Sequence, residues 1–100
     1  MANKFGGYIR KLREDQNLLQ RHIAAALDID TPMLSKIERG ERQAKREQVI
    51  LFAKALRANK RDLMTLWLAD RIYDVIKDEE VVSEAMKAAE EAYKHKKKKK

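Results

Sequence analysis

The chain has 100 residues, 44% hydrophobic and 39% charged, with a formal net charge of +7 and no cysteine. That length supports one domain with one core, and its longest apolar runs, Ile23–Leu27 and Val49–Ala53, stop at five residues, where a bilayer span needs about 20. The absent cysteines exclude disulfide scaffolds, thiolate zinc sites and thiol nucleophiles, and three glycines with one proline leave little turn chemistry for an all-β fold.

Phe5, Ile9, Leu12 and Gln16 fall at helical spacing and predict a first helix over residues 4–16. Gly6 and Gly7 weaken its first turn, and Asn17 suits the left-handed conformation that ends a helix. A second helix is expected over Gln20–Leu27, with Ile23, Ala24 and Leu27 on one face. Asp28-Ile29-Asp30-Thr31-Pro32 reads as a stop followed by a start, because aspartates suit turns and caps and proline suits a first helical turn. Proline's restriction of its predecessor favours Thr31 over Asp30 as the cap.

A third helix is expected over Pro32–Arg39, stopped by Gly40. Leu34 and Ile37 must face inward, which turns Pro32, Ser35, Lys36 and Arg39 outward, flanked by Thr31 and Met33. A fourth, over 46–56, is expected to bury Val49, Ile50, Phe52, Ala53 and Leu56. Asn59 and Asp62 form a capping pair that opens a fifth helix over 60–76. Leu63, Met64, Leu66, Trp67, Leu68, Ile72, Tyr73, Val75 and Ile76 wrap most of its circumference, more than one core requires. A sixth helix, over 79–94, aligns Val82, Ala85, Met86, Ala89, Ala92 and Tyr93, with Asp78-Glu79-Glu80 suited to its N-terminus.

Charge divides the chain. Residues 1–76 carry 15 basic and 10 acidic side chains, residues 77–93 carry two basic and six acidic, and residues 94–100 add six lysines. A basic body implies a polyanionic partner, nucleic acid first and a membrane surface second.

Two short helices joined by a tight turn, with helices on either side, describe a helix-turn-helix domain. The stretches Ile9–Glu14, Gln20–Ala24, Leu34–Arg42 and Val49–Leu56, with Asp62-Leu63, resemble in order and spacing the phage repressor and Cro family of bacterial regulators, the XRE-like proteins. The resemblance covers residues 5–65 and implies an all-α fold: a five-helix repressor-like domain, here with an extended fifth helix and an added C-terminal helix. It also implies that helix three lies in the DNA major groove. By position, Thr31, Pro32 and Lys36 would read bases with Met33 and Ser35 assisting, and Gln20, Arg39, Arg42, Gln43 and Arg46 would contact phosphates. Arg13 and Glu38 align with a pair the family uses as a buried ion bridge. Three positions depart from the family pattern: Leu19 replaces the usual Ser or Thr cap, Asp28 the turn glycine, and Ala44 a frequent proline.

The function these features imply is sequence-specific DNA-binding transcriptional regulation by a homodimer on a paired half-site operator of double-stranded DNA, with restriction–modification control the preferred setting. The alternative is a membrane-surface or protein-adaptor module that uses the basic tail and the C-terminal helix. No nucleophile–base pair, phosphate loop or metal set is visible, and His22 and His95 have no metal-spaced companions. No enzyme activity, cofactor, metal or small-molecule ligand is therefore expected. With no recognisable export signal, a cytoplasmic location is expected. Residues 1–65 are expected to bind DNA, 66–94 to dimerise, and 95–100 to form a flexible lysine tail. The expected dimer interface comprises Leu68, Ile72, Tyr73, Val75, Ile76, Val82, Met86, Ala89 and Tyr93, an apolar surface that needs cover. The simpler alternative folds helix six back on helix five within one chain.

Overall fold

The computed structural model describes residues 3–98. Those residues form six helices and no strand: α1 Lys4–Asp15, α2 Gln20–Leu27, α3 Thr31–Glu38, α4 Arg46–Leu56, α5 Lys60–Ile76 and α6 Val82–Lys98. Helices α1 to α5 enclose one core. Phe5 and Ile9 of α1, Ile23 and Leu27 of α2, Leu34 and Ile37 of α3, Val49, Phe52 and Leu56 of α4, and Leu63 and Trp67 of α5 are all buried. Phe52 meets Phe5 edge to face, with ring centroids 5.6 Å apart, a favoured geometry for aromatic quadrupoles. Ile50 departs from expectation and is exposed. Val49, Phe52, Ala53 and Leu56 already occupy the inward i, i+3, i+4, i+7 stripe, and Ile50 lies about 100° off it.

The turn between α2 and α3 is built from backbone geometry. Asp28 adopts the left-handed conformation at φ 56°, where the family resemblance calls for glycine. The Ile29 N–H then donates to the Ala24 carbonyl at 3.0 Å, and the Asp28 N–H to Ala25 at 3.2 Å, closing the last carbonyls of α2. The cap of α3 is Asp30 rather than the favoured Thr31. The Met33 N–H donates to Asp30 Oδ1 at 2.8 Å, and this bond overrides the tendency of the residue before proline to leave the helical region. Thr31 becomes the first residue of α3, and Arg39 caps its C-terminus. At the start of α2, Leu19 offers no side-chain acceptor, but its own N–H donates to His22 Nδ1 at 3.2 Å.

The N-terminus of α1 is capped across the fold. The Lys4 and Phe5 N–H groups donate to the two oxygens of Asp70 on α5, at 3.1 and 3.0 Å, placing a carboxylate at the positive end of the α1 dipole. At the next residue, Gly6, α1 crosses the end of α3. A Cβ there would collide with the Ile37 and Glu38 carbonyl oxygens, whereas Gly7 faces open space. Gly7→Ala is therefore expected to raise stability by up to ~1 kcal/mol, and Gly6→Ala to lower it by ~1–3 kcal/mol through overpacking. Urea unfolding of the two variants checks the opposite signs.

Helix α6 begins at Val82, three residues later than expected, and continues to Lys98 rather than ending at 94. The Ala85 N–H donates to the Val81 carbonyl, so Asp78-Glu79-Glu80 sit in the preceding turn. Lysine is a good helix former and suits the negative end of the dipole, which carries the helix into the lysine run. Lys99 and Lys100 lie outside the described residues. The fold-back alternative is not what the structure shows: Met86 and Tyr93 of α6 remain exposed, as do Leu68, Ile72, Tyr73 and Val75 of α5. Ile76 and Val82 are partly covered, and Ala89 is open.

Candidate nucleic-acid interface

Leu34 and Ile37 pull one side of α3 into the core, and the opposite side presents Thr31, Pro32 and Lys36 to solvent. Met33 and Ser35 stand on either flank, both half-buried. Met33 lines a shallow depression with Ile29, Arg42, Gln43, Lys45 and Gln48, where the α3–α4 connection passes. Ser35 faces the other way, and its Oγ accepts from Arg39 Nη1 at 2.8 Å. Of the five expected base-reading residues, then, three form the crest of the exposed face and two its shoulders.

Beneath this face lies a charged brace. Arg13 Nε donates to Glu38 Oε2 at 2.7 Å and Arg13 Nη2 to Oε1 at 3.0 Å, a two-point fork between α1 and α3. The side chains of Arg13 and Glu38 are only 11% and 4% exposed. Arg13 Nη1 also donates to the Leu18 carbonyl at 2.9 Å, and Gln20 Nε2 donates to Glu38 Oε1 at 3.0 Å. The Glu38 hydrogen bonds hold the Arg13 guanidinium above its ordinary range. Gln20 thus spans α2 and α3, with Ser35 Oγ at 3.5 Å as a longer second acceptor.

Arg39, Arg42, Gln43 and Arg46 are all exposed along the α3–α4 connection and the start of α4. Sequence reasoning missed the fate of Arg39. Its guanidinium donates to Glu41 at 2.6 and 3.3 Å, and these bonds hold the Glu41 carboxyl below the usual carboxylate range. The i, i+2 spacing across Gly40, at φ 77°, was the available signal. Also missed was Arg71 of α5, whose Nη1 lies 3.5 Å from Gln43 Oε1. No cluster of potential metal ligands occurs among the described residues, and no described helix is long and apolar enough to cross a membrane.

A short exposed helix set on a buried brace, preceded by a tight turn and followed by a basic connection, defines a helix-turn-helix DNA-binding protein. The helix-turn-helix family model matches residues 9–63, and the chain belongs to this family, in its XRE-like branch. Among solved structures, it is similar to the restriction-modification controller protein C.AhdI from Aeromonas hydrophila, at 31% identity and a TM-score of 0.58 over 62% of this chain and 94% of that one. It is also similar to the clp gene regulator ClgR from C. glutamicum, at 25% identity and a TM-score of 0.59 over 69% of this chain and 90% of that one. No curated protein matches it significantly. The chain is a DNA-binding transcriptional regulator, which decides against the membrane-surface or adaptor alternative.

Proposed function

We propose that the protein reads a paired operator as a homodimer, with α3 of each copy in the major groove. The carrying observation is the exposed crest of Thr31, Pro32 and Lys36 on a helix whose other side is anchored in the core. Lys36 supplies a donor for guanine O6 and N7, and Pro32, Met33 and the Thr31 methyl supply apolar contact for a thymine methyl. Gln20, Arg39, Arg42, Gln43 and Arg46 hold the phosphate backbone on either side and fix the register of α3. For Arg39 to do so, Glu41 must release it or share it with the phosphate. The exposed residues Leu68, Ile72, Tyr73 and Val75, with Met86 and Tyr93, supply the apolar surface for pairing, together with Ile76, Val82 and Ala89. A two-fold axis there sets the reading helices about one DNA turn, ~34 Å, apart.

Restriction–modification control is the regulatory setting this reading favours, supported by the similarity to the C.AhdI controller. A pair of substitutions separates base reading from backbone holding. Lys36→Ala is expected to cost ~1–3 kcal/mol on the operator and to relax preference at one position per half-site. Arg46→Ala is expected to weaken operator and random duplex by the same factor and to flatten the salt dependence. An unchanged ratio of operator to random binding in Lys36→Ala would refute the assignment of the reading face.

A further inference from the structure

Arg71 takes no part in the interface proposed so far. From α5, its guanidinium lies 4.8 Å from the ring centroid of Trp67, and the Arg46 guanidinium lies 5.0 Å from the same ring. Trp67 is buried, and its indole N–H donates to the Ala44 carbonyl at 2.7 Å. The platform under both cations is therefore tied to the α3–α4 connection. Two guanidiniums on one ring repel each other, and among the described residues neither pairs with a carboxylate. The acidic neighbours of Arg71 on its own helix are engaged elsewhere: Asp70 accepts from the α1 N–H groups, and Asp74 lies 3.7 Å from Lys77. The polar partners of the two arginines are neutral, Met64 Sδ at 3.7 Å from Arg46 and Gln43 Oε1 at 3.5 Å from Arg71. Both arginines line an open groove with Gln43 and Lys45, and those same two residues line the depression that reaches Met33 on α3. A continuous polar and basic track thus runs from the reading helix to α5.

The geometry points to Arg46 and Arg71 as one phosphate clamp, a paired-guanidinium site for a backbone phosphodiester of the DNA that α3 reads. A guanidinium stacked by its face on an aromatic ring keeps its edge donors free for oxyanions, and an anion shared by both would cancel their repulsion. An open groove whose aromatic ring is already buried offers no stacking slot for a free nucleotide base, so the occupant is the backbone of a duplex. The clamp rests on the DNA-binding reading and adds to it a residue outside the family-matched segment 9–63.

The test uses the full chain and its Arg71→Ala, Arg71→Lys and Arg71→Glu variants, bound to the selected operator and to random duplex across a salt series. Unfolding midpoints and light scattering are recorded on the same samples. Arg71→Ala is expected to reduce the log–log salt slope by about 0.9 per bound protomer and to weaken both duplexes by the same factor. Arg71→Lys should retain the slope, Arg71→Glu should lose more affinity than Arg71→Ala, and midpoint and oligomeric state should not move. Unchanged slope and affinity in both Arg71→Ala and Arg71→Glu would overturn the clamp while leaving DNA binding intact. Affinity lost only because the variants dissociate would overturn it too, assigning Arg71 to the contact between copies. A wild-type chain that binds neither duplex would overturn both readings together.

Discussion

Glu38→Ala is expected to lower the unfolding free energy by about 3–5 kcal/mol, the cost of leaving a buried cation without its partner. Domains of this size are stable by only about 5–15 kcal/mol, so the variant should melt far below the wild type. The geometry explains the size of the effect. Glu38 accepts two bonds from Arg13 and one from Gln20, so three donors from two other helices converge on it. Arg13→Met combined with Glu38→Leu should recover much of the loss, because both charges leave together. Recovery stays incomplete: the Leu18 carbonyl loses its donor from Arg13, and the Gln20 amide keeps only its longer contact to Ser35 Oγ. A double-mutant cycle measured by urea unfolding checks this, and additive single effects would show that the two side chains act independently.

Ending the chain at Asp78 is expected to abolish dimerisation and to weaken binding to a paired operator by about 10²–10⁴-fold, the advantage lost when two half-sites are no longer engaged by linked modules. None of the buried core residues of α1 to α5 lies beyond Trp67, so the truncated chain should keep its core. Ile72→Glu should act in the same direction without truncation, by placing a charge on the exposed apolar side of α5. Light scattering and single half-site binding distinguish the outcomes. A truncated chain that stays dimeric with full operator affinity would remove α6 from the proposed interface.

What the sequence made legible is what depends on neighbours close along the chain. The spans of α2, α4 and α5, the outward face of α3 and the left-handed residue Asn17 all follow from periodicity and turn chemistry over a few residues, whereas the left-handed Asp28 stands where the family resemblance calls for glycine. The Arg13–Glu38 fork spans 25 residues and was reached only through the family resemblance. Contacts outside that pattern stayed hidden. Asp70 caps α1 from 65 residues away, and Arg71 meets Gln43 across 28; no periodicity encodes such pairings. Two local errors have local causes. Asp30 displaced Thr31 as the cap because a carboxylate in reach of the Met33 N–H outweighs the restriction proline imposes. Helix α6 ran past 94 because lysines that look like a solvated tail also extend a helix.

The claim at the centre of this account is that α3 of two paired copies reads sequence in duplex DNA. It is tested most directly by selecting duplexes from a random pool with the full-length protein and sequencing those retained. One enriched inverted repeat is expected, its half-sites about 10–10.5 base pairs apart centre to centre, bound roughly 10³-fold or more tightly than unselected DNA at matched salt. A retained pool with no common sequence, held only by salt-sensitive affinity, would contradict it.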